Sequence, residues 1–142
     1  MLSESPLNYT IIKPSFFMDN FLRIAKVEAD NIYIPEFISP DIKFAMIPSD
    51  DIAKITAQIF KNVDEYNHQS IEIASDELTL NEVVDTFTSV TNKKTEIKGQ
   101  FSSQIAEKSW LEEKGYVVDF EQMDHINPNR LRLNKWISKK FK

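Results

Sequence analysis

Apolar and polar positions change rhythm several times along this chain, and each change predicts an element. Residues 8–13, "NYTIIK", read as a strand, and the adjacent Ile11 and Ile12 predict one covered on both faces. Pro14 ends it, because proline offers no ladder donor. From Ser15, a candidate N-cap, the spacing turns helical: Phe17, Phe21, Ile24 and Ala25 fall on one face. Phe16, Met18 and Leu22 widen that face until only Asp19, Arg23 and Lys26 remain polar. Such a helix must be buried on most sides, since each large apolar side chain gains roughly 1.5–3 kcal/mol on burial.

Two short extended pieces follow, "NIYIPEF" and "KFAMIP", each closed by a proline. Ser49 or Asp50 would cap the next helix, whose stripe is Ile52, Ile55, Ile59 and Phe60. "SIEIA" alternates like a half-buried strand. "LTLNEVVDTF" then carries a capping box, Thr79 with Glu82, and a staple, Leu78 with Val83. Leu80, Val83, Val84, Phe87 and Val90 make its buried face, and Asn92 suits the left-handed residue that closes it. "KKTEIKGQ" predicts a strand, residues 103–114 a helix stopped by Gly115, "YVVDF" an extended piece, and Leu133, Trp136 and Ile137 a last helix. Strands and helices alternate, so the fold class is α/β, in a single domain over residues 1–142.

Composition narrows the chemistry. Of 142 residues, 42% are hydrophobic and 27% charged, the balance of a folded globular domain. A net charge of -5 argues against nucleic acid as a partner, and the basic cluster from Arg130 to Lys142 reads as cations suited to a helix C-terminus. With no cysteine there is no disulfide, thiolate catalyst or thiolate-bound zinc. No apolar run would span a bilayer and "MLSESPLNYT" is no signal peptide, so the expected location is cytoplasmic, without a membrane partner.

Candidate catalytic groups are sparse. Asp50–Asp51, Asp64–Glu65 and Asp76–Glu77 are acidic pairs, but neighbours in sequence do not face one another on a helix, and the first and last suit helix starts. His68 and His125 have no third ligand at metal spacing; His68 reads as solvent-exposed, and His125 as bonded locally beside "INPN". No serine sits in G-x-S-x-G. Gly99 and Gly115 are the only glycines, so no glycine-rich turn can bring backbone amides against a pyrophosphate. The residues predict no catalytic, cofactor or metal site.

Taken together, "YTIIKPSFFMDNF", "SDDIAKITAQIF" and "SIEIASDELTLNEVVDTFTSVTNKK" resemble the NmrA-like family, atypical short-chain dehydrogenase/reductase relatives that bind NAD(P). Pro14, Phe16, Phe17 and Asn20 match the family's proline and phenylalanine-rich segment, Asp51 its helix-opening aspartate, and Asp76, Leu78, Thr79 and Glu82 a further motif. "LEEKGYVVDFEQMDHINPNRLRLNKWI" is similar to the family's C-terminus. His68 and Asn92 stand where the family has glycine, and Arg132 where it has a capping threonine, which implies a fraying last helix.

The resemblance implies the C-terminal, substrate-side portion of a Rossmann-type protein, truncated, lacking the N-terminal dinucleotide-binding half and noncatalytic alone. Intact relatives imply NAD(P), as reductases or redox sensors; this chain alone implies no cofactor. Pro14, Phe16, Phe17, Met18 and Asn20 would line a cleft, for a small-molecule substrate, once the other half is supplied. The expected partners are a separate Rossmann half, making an oxidoreductase in trans, or a second copy, with residues 11–25 as a protein-interaction or regulatory face.

Overall fold

A computed structural model describes residues 7–100 and 117–141. The helix expected at 103–114, with its Gly115 stop, and Tyr116 of "YVVDF" lie outside the described residues; of the rest of that piece, residues 117–119 form no strand and Phe120 opens a helix. β1 (Thr10–Pro14) pairs in parallel with β6 (Gln69–Ile73), Ile12 opposite Ile71. A second sheet has β5 (Phe44–Ile47) between β2 (Phe16–Phe17), parallel, and β7 (Asp76–Leu78), antiparallel. A third has β4 (Asn31–Glu36) between β3 (Lys26–Glu28), antiparallel, and β8 (Lys94–Gln100), parallel.

The helices are α1 (Phe21–Ile24), α2 (Ser49–Lys61), α3 (Val63–Tyr66), α4 (Leu80–Thr91), α5 (Phe120–Ile126) and α6 (Leu133–Lys140). They divide the interior into two cores. The larger joins Met18, Phe21, Ile32, Phe87 and Trp136, with α4 packed on α6. The smaller joins Ile55 and Ile59 of α2, Ile71 and Ile73 of β6, and Met123 and Ile126 of α5.

The long helix expected after Ser15 does not form. Phe16 and Phe17 extend to pair with Met46 and Ile47, Met18–Asn20 make a 3-10 turn, and α1 is a single turn. Pairing with β5 gives the backbone partners that helix would have supplied, and tertiary packing overrides the helical spacing. Ser15 is a strand connector whose N–H donates to the Ile73 carbonyl at 3.1 Å, not an N-cap. β1 is covered on one face only: Ile12 packs against the smaller core, whereas Ile11 is 38% exposed.

The capping box stands as expected. The Thr79 hydroxyl accepts from the Glu82 N–H at 3.1 Å, the Glu82 carboxylate accepts from the Thr79 N–H at 2.9 Å, and Asn92 closes α4 with φ 60°. The Thr79 backbone N–H, with help from its hydroxyl and from Lys43, holds the Glu82 carboxyl below its ordinary value. Stability from the ionised form is therefore present above the unfolded value and lost as pH falls through the lowered folded one. Glu82→Gln keeps the hydrogen bond and removes the charge, so its deficit against wild type in urea melts should be present at neutral pH and vanish in acid. A deficit independent of pH would contradict this account.

Candidate functional site

In open α/β folds the chemistry gathers beyond the carboxyl ends of parallel strands, here after Pro14 of β1 and Ile73 of β6. What gathers there is a set of buried carboxylates. Asp51, on the first turn of α2, is fully buried, and its carboxylate accepts from the Ser75 hydroxyl and from the Leu131 N–H at 2.7 Å. Asp76 is 8% exposed; one oxygen accepts from the Glu77 N–H at 2.9 Å and the other from the Leu133 N–H at 3.1 Å. Arg130 donates to the Ser75 carbonyl and to Asp124, both at 2.9 Å, and its guanidinium lies over Phe120. The stretch from Arg130 to Leu133 is thus pinned at three points, to Ser75 after β6, to Asp51 on α2 and to Asp76 at the start of β7.

This corrects several expectations. Asp51 and Asp76 do not cap their own helices; they reach another part of the chain. Arg130, read with the basic cluster as suited to a helix C-terminus, instead precedes α6 and bonds to Ser75 and Asp124. Arg132 supplies no cap to α6, but Asp76 does so from a distance, so the missing threonine is replaced and the expected cause of fraying is removed. His125 bonds not to its own turn but to Glu65, at 3.1 Å. His68 is exposed as expected, with its ring against Tyr9 and a φ of 63°, while Asn92 has a φ of 60°. Both residues therefore sit in the backbone region that favours glycine, which accounts for the glycines expected at these places.

Of the five cleft candidates, Met18 is fully buried and Phe16 stacks on Phe37 at 4.9 Å and meets Phe44 edge-on. Met18 belongs to the core, and Phe16, half-buried, packs against it. Phe17 is 46% exposed, and Pro14 and Asn20 are half-buried. Sequence reasoning missed α5, although Asp119, which accepts from the Glu121 and Gln122 N–H groups, followed by Gln122 three residues on, is a start signal. It also missed β3.

A dinucleotide needs an open helix N-terminus for its phosphates, and among the described residues each of the four longer helices has a carboxylate at its start. The Ser49 N–H of α2 faces Asp19 at 3.4 Å, with the Ser49 hydroxyl on the same carboxylate at 2.6 Å. Thr79 and Glu82 close α4, Asp119 closes α5, and Asp76 closes α6. Each of these caps brings a carboxylate, which would repel a pyrophosphate. Gly99 lies within β8. These residues do not fit NAD(P). Among the described residues, no group of three or more His, Asp or Glu could hold a metal ion, and no helix is long and apolar enough to cross a membrane.

Removing the Asp51 carboxylate strands two donors, at roughly 1–3 kcal/mol for each one left buried without a partner. Asp51→Ala should lower the unfolding free energy in urea accordingly, while Asp50→Ala, one residue away and exposed, should stay within about 0.5 kcal/mol of wild type. Equal losses at both positions would show that the buried network contributes nothing.

Comparison with known proteins places this geometry. The structure superposes on that of NmrA, a negative transcriptional regulator, in complex with NAD, with a TM-score of 0.77 at 15% identity over 99% of this chain and 54% of that one. The NADP complex of NmrA gives 0.75 at 15% identity over the same shares. A nucleoside-diphosphate-sugar epimerase from Staphylococcus aureus gives 0.66 at 14% identity, over 96% of this chain and 54% of that one. At such identities the likeness is one of fold. The chain spans about half the length of these proteins, and that coarser statement replaces the expected assignment to a C-terminal half. No curated protein matches the sequence. The NmrA-like family matches residues 1–131, nearly the whole length, and the chain belongs to that family.

Proposed function

We propose that this chain is the substrate-side portion of an NmrA-like protein, without catalysis of its own, which works only beside a separate dinucleotide-binding portion. One observation carries the reading: among the described residues, each of the longer helices has a carboxylate of this same chain at its N-terminus, which disfavours a pyrophosphate there. The rest agrees with it. The relatives that hold NAD and NADP are nearly twice as long. The β1–β6 pair has two strands among the described residues, although parallel sheets ordinarily have more strands and layers on both faces. Pro14, Phe17 and Asn20, at the carboxyl end of β1, are the candidates to face a substrate once the second portion is docked. Calorimetric and fluorescence titration with NADH and NADPH should give no saturable signal from the isolated chain. Micromolar binding by it would overturn the proposal.

A second reading is favoured by one feature. Ile11, Phe17 and Leu22 are 38%, 46% and 51% exposed within a single segment, more apolar surface than a solvated face requires. On this reading residues 11–25 are an interaction face that pairs with a second copy or another polypeptide. Sedimentation velocity should then show self-association that rises with concentration and is lost in Phe17→Glu/Leu22→Glu. A clean monomer at high micromolar concentration would count against a self-associating face.

A further inference from the structure

β8 carries one more residue than its partner: Ile34 lies opposite Ile97, but Glu36 lies opposite Gln100. The irregularity falls at Pro35, which has no N–H for the ladder, and Gly99 takes it up with φ 87°. Bulges of this kind re-aim side chains, and here Lys98 places its ammonium 4.7 Å from the centre of the Tyr33 ring. Beside the bulge a groove of about 520 Å³ opens, with Ile24 and Pro35 among its apolar lining and Arg23, Lys26 and Lys98 as its cations. That volume lies within the range of small-molecule sites.

The charge of the groove runs against that of the chain. The protein has a net charge of -5, yet among the described residues this depression gathers three cations, Arg23, Lys26 and Lys98, against one carboxylate, Glu28. Among the described residues, neither Arg23, Lys26 nor Lys98 has an ion-pair partner. Cations brought together without counterions repel one another, and an anion seated between them relieves that cost. The aromatic and aliphatic lining suits a flat body and the cations suit a charged end.

We propose that this groove binds a small organic anion, a planar apolar body bearing one carboxylate or phosphate group, with Arg23, Lys26 and Lys98 around the charged end. The site is distinct from the carboxyl ends of β1 and β6, and every residue it uses belongs to this chain, so it stands whether or not a dinucleotide-binding portion exists. The test follows backbone amide shifts of the full chain in nitrogen-15 spectra during titration with 4-nitrobenzoate, 4-nitrophenyl phosphate and the neutral 4-nitrobenzyl alcohol.

Either anion should shift the amides of Lys26, Lys98 and Gly99 saturably, and the stronger of the two identifies the preferred charged group. The alcohol should bind at least tenfold more weakly, and added salt should weaken the anions. Arg23→Gln/Lys98→Gln should lose at least tenfold in affinity, whereas Lys54→Gln, an exposed lysine on α2, should not. Because these are surface changes, an unchanged spectrum elsewhere confirms folding of each variant. Absence of shifts at millimolar probe, equal binding of the alcohol, or full affinity in the double variant would each overturn the proposal.

Discussion

The fold rests on a demand that every helix makes: its first N–H groups need acceptors, and in this chain several of those acceptors come from far away in sequence. Pro48 and Arg132, the residues preceding α2 and α6, have no side chain that caps. Asp19 and Asp76 fill the two places instead. Each bond closes an orphaned donor and also fixes where the helix begins relative to a strand end. Asp51 adds the same service to the Leu131 amide, so the approach to α6 is held before the helix starts. With that approach fixed, Trp136 is fully buried beside Phe21 and Phe141, and the larger core is closed. Packing and polar satisfaction are therefore one arrangement here.

Local signals were legible and remote ones were not. The capping box of α4 could be read because both partners lie within four residues, and β4, β5, β8 and the Leu133 stripe of α6 were visible in periodicity alone. The segment after Pro14 was misread because Phe17, Phe21 and Ile24 do keep helical spacing; what decides its conformation is pairing with Met46 and Ile47, about thirty residues on. The acidic pairs were read as dipole complements for the same reason. Nothing next to Asp51 or Asp76 in the sequence announces that Ser75, Leu131 and Leu133 will arrive beside them. Of the cleft candidates, sequence could name the segment but not which side each residue takes, and so Met18 and Phe16 were grouped with Phe17 although they face inward.

The family relationship and the physical reading explain different things. The fold is one shared with NmrA, and the left-handed backbone at His68 and Asn92 belongs to the region of φ that favours glycine. The carboxylates at the helix starts include Asp76 and Glu82, which stand in the segment that resembles the family, together with Asp19 and Asp119. Those carboxylates give the amino ends of the helices a negative character, opposite to what nucleotide phosphates require. The basic groove has another place, at the irregular junction of β4 with β8.

The pairing of β1 with β6 has a consequence for the order of assembly. The bond from the Tyr9 N–H to Asn67 closes across 58 residues, whereas β3 and β4 join through a two-residue loop at Ala29 and Asp30. Closing so long a stretch costs chain entropy before any contact repays it, and parallel pairing is slow for that reason. The hairpin is free to nucleate early, and the β1–β6 ladder is expected to zip late, leaving the amino-terminal strand open to capture by other chains while the nascent polypeptide matures.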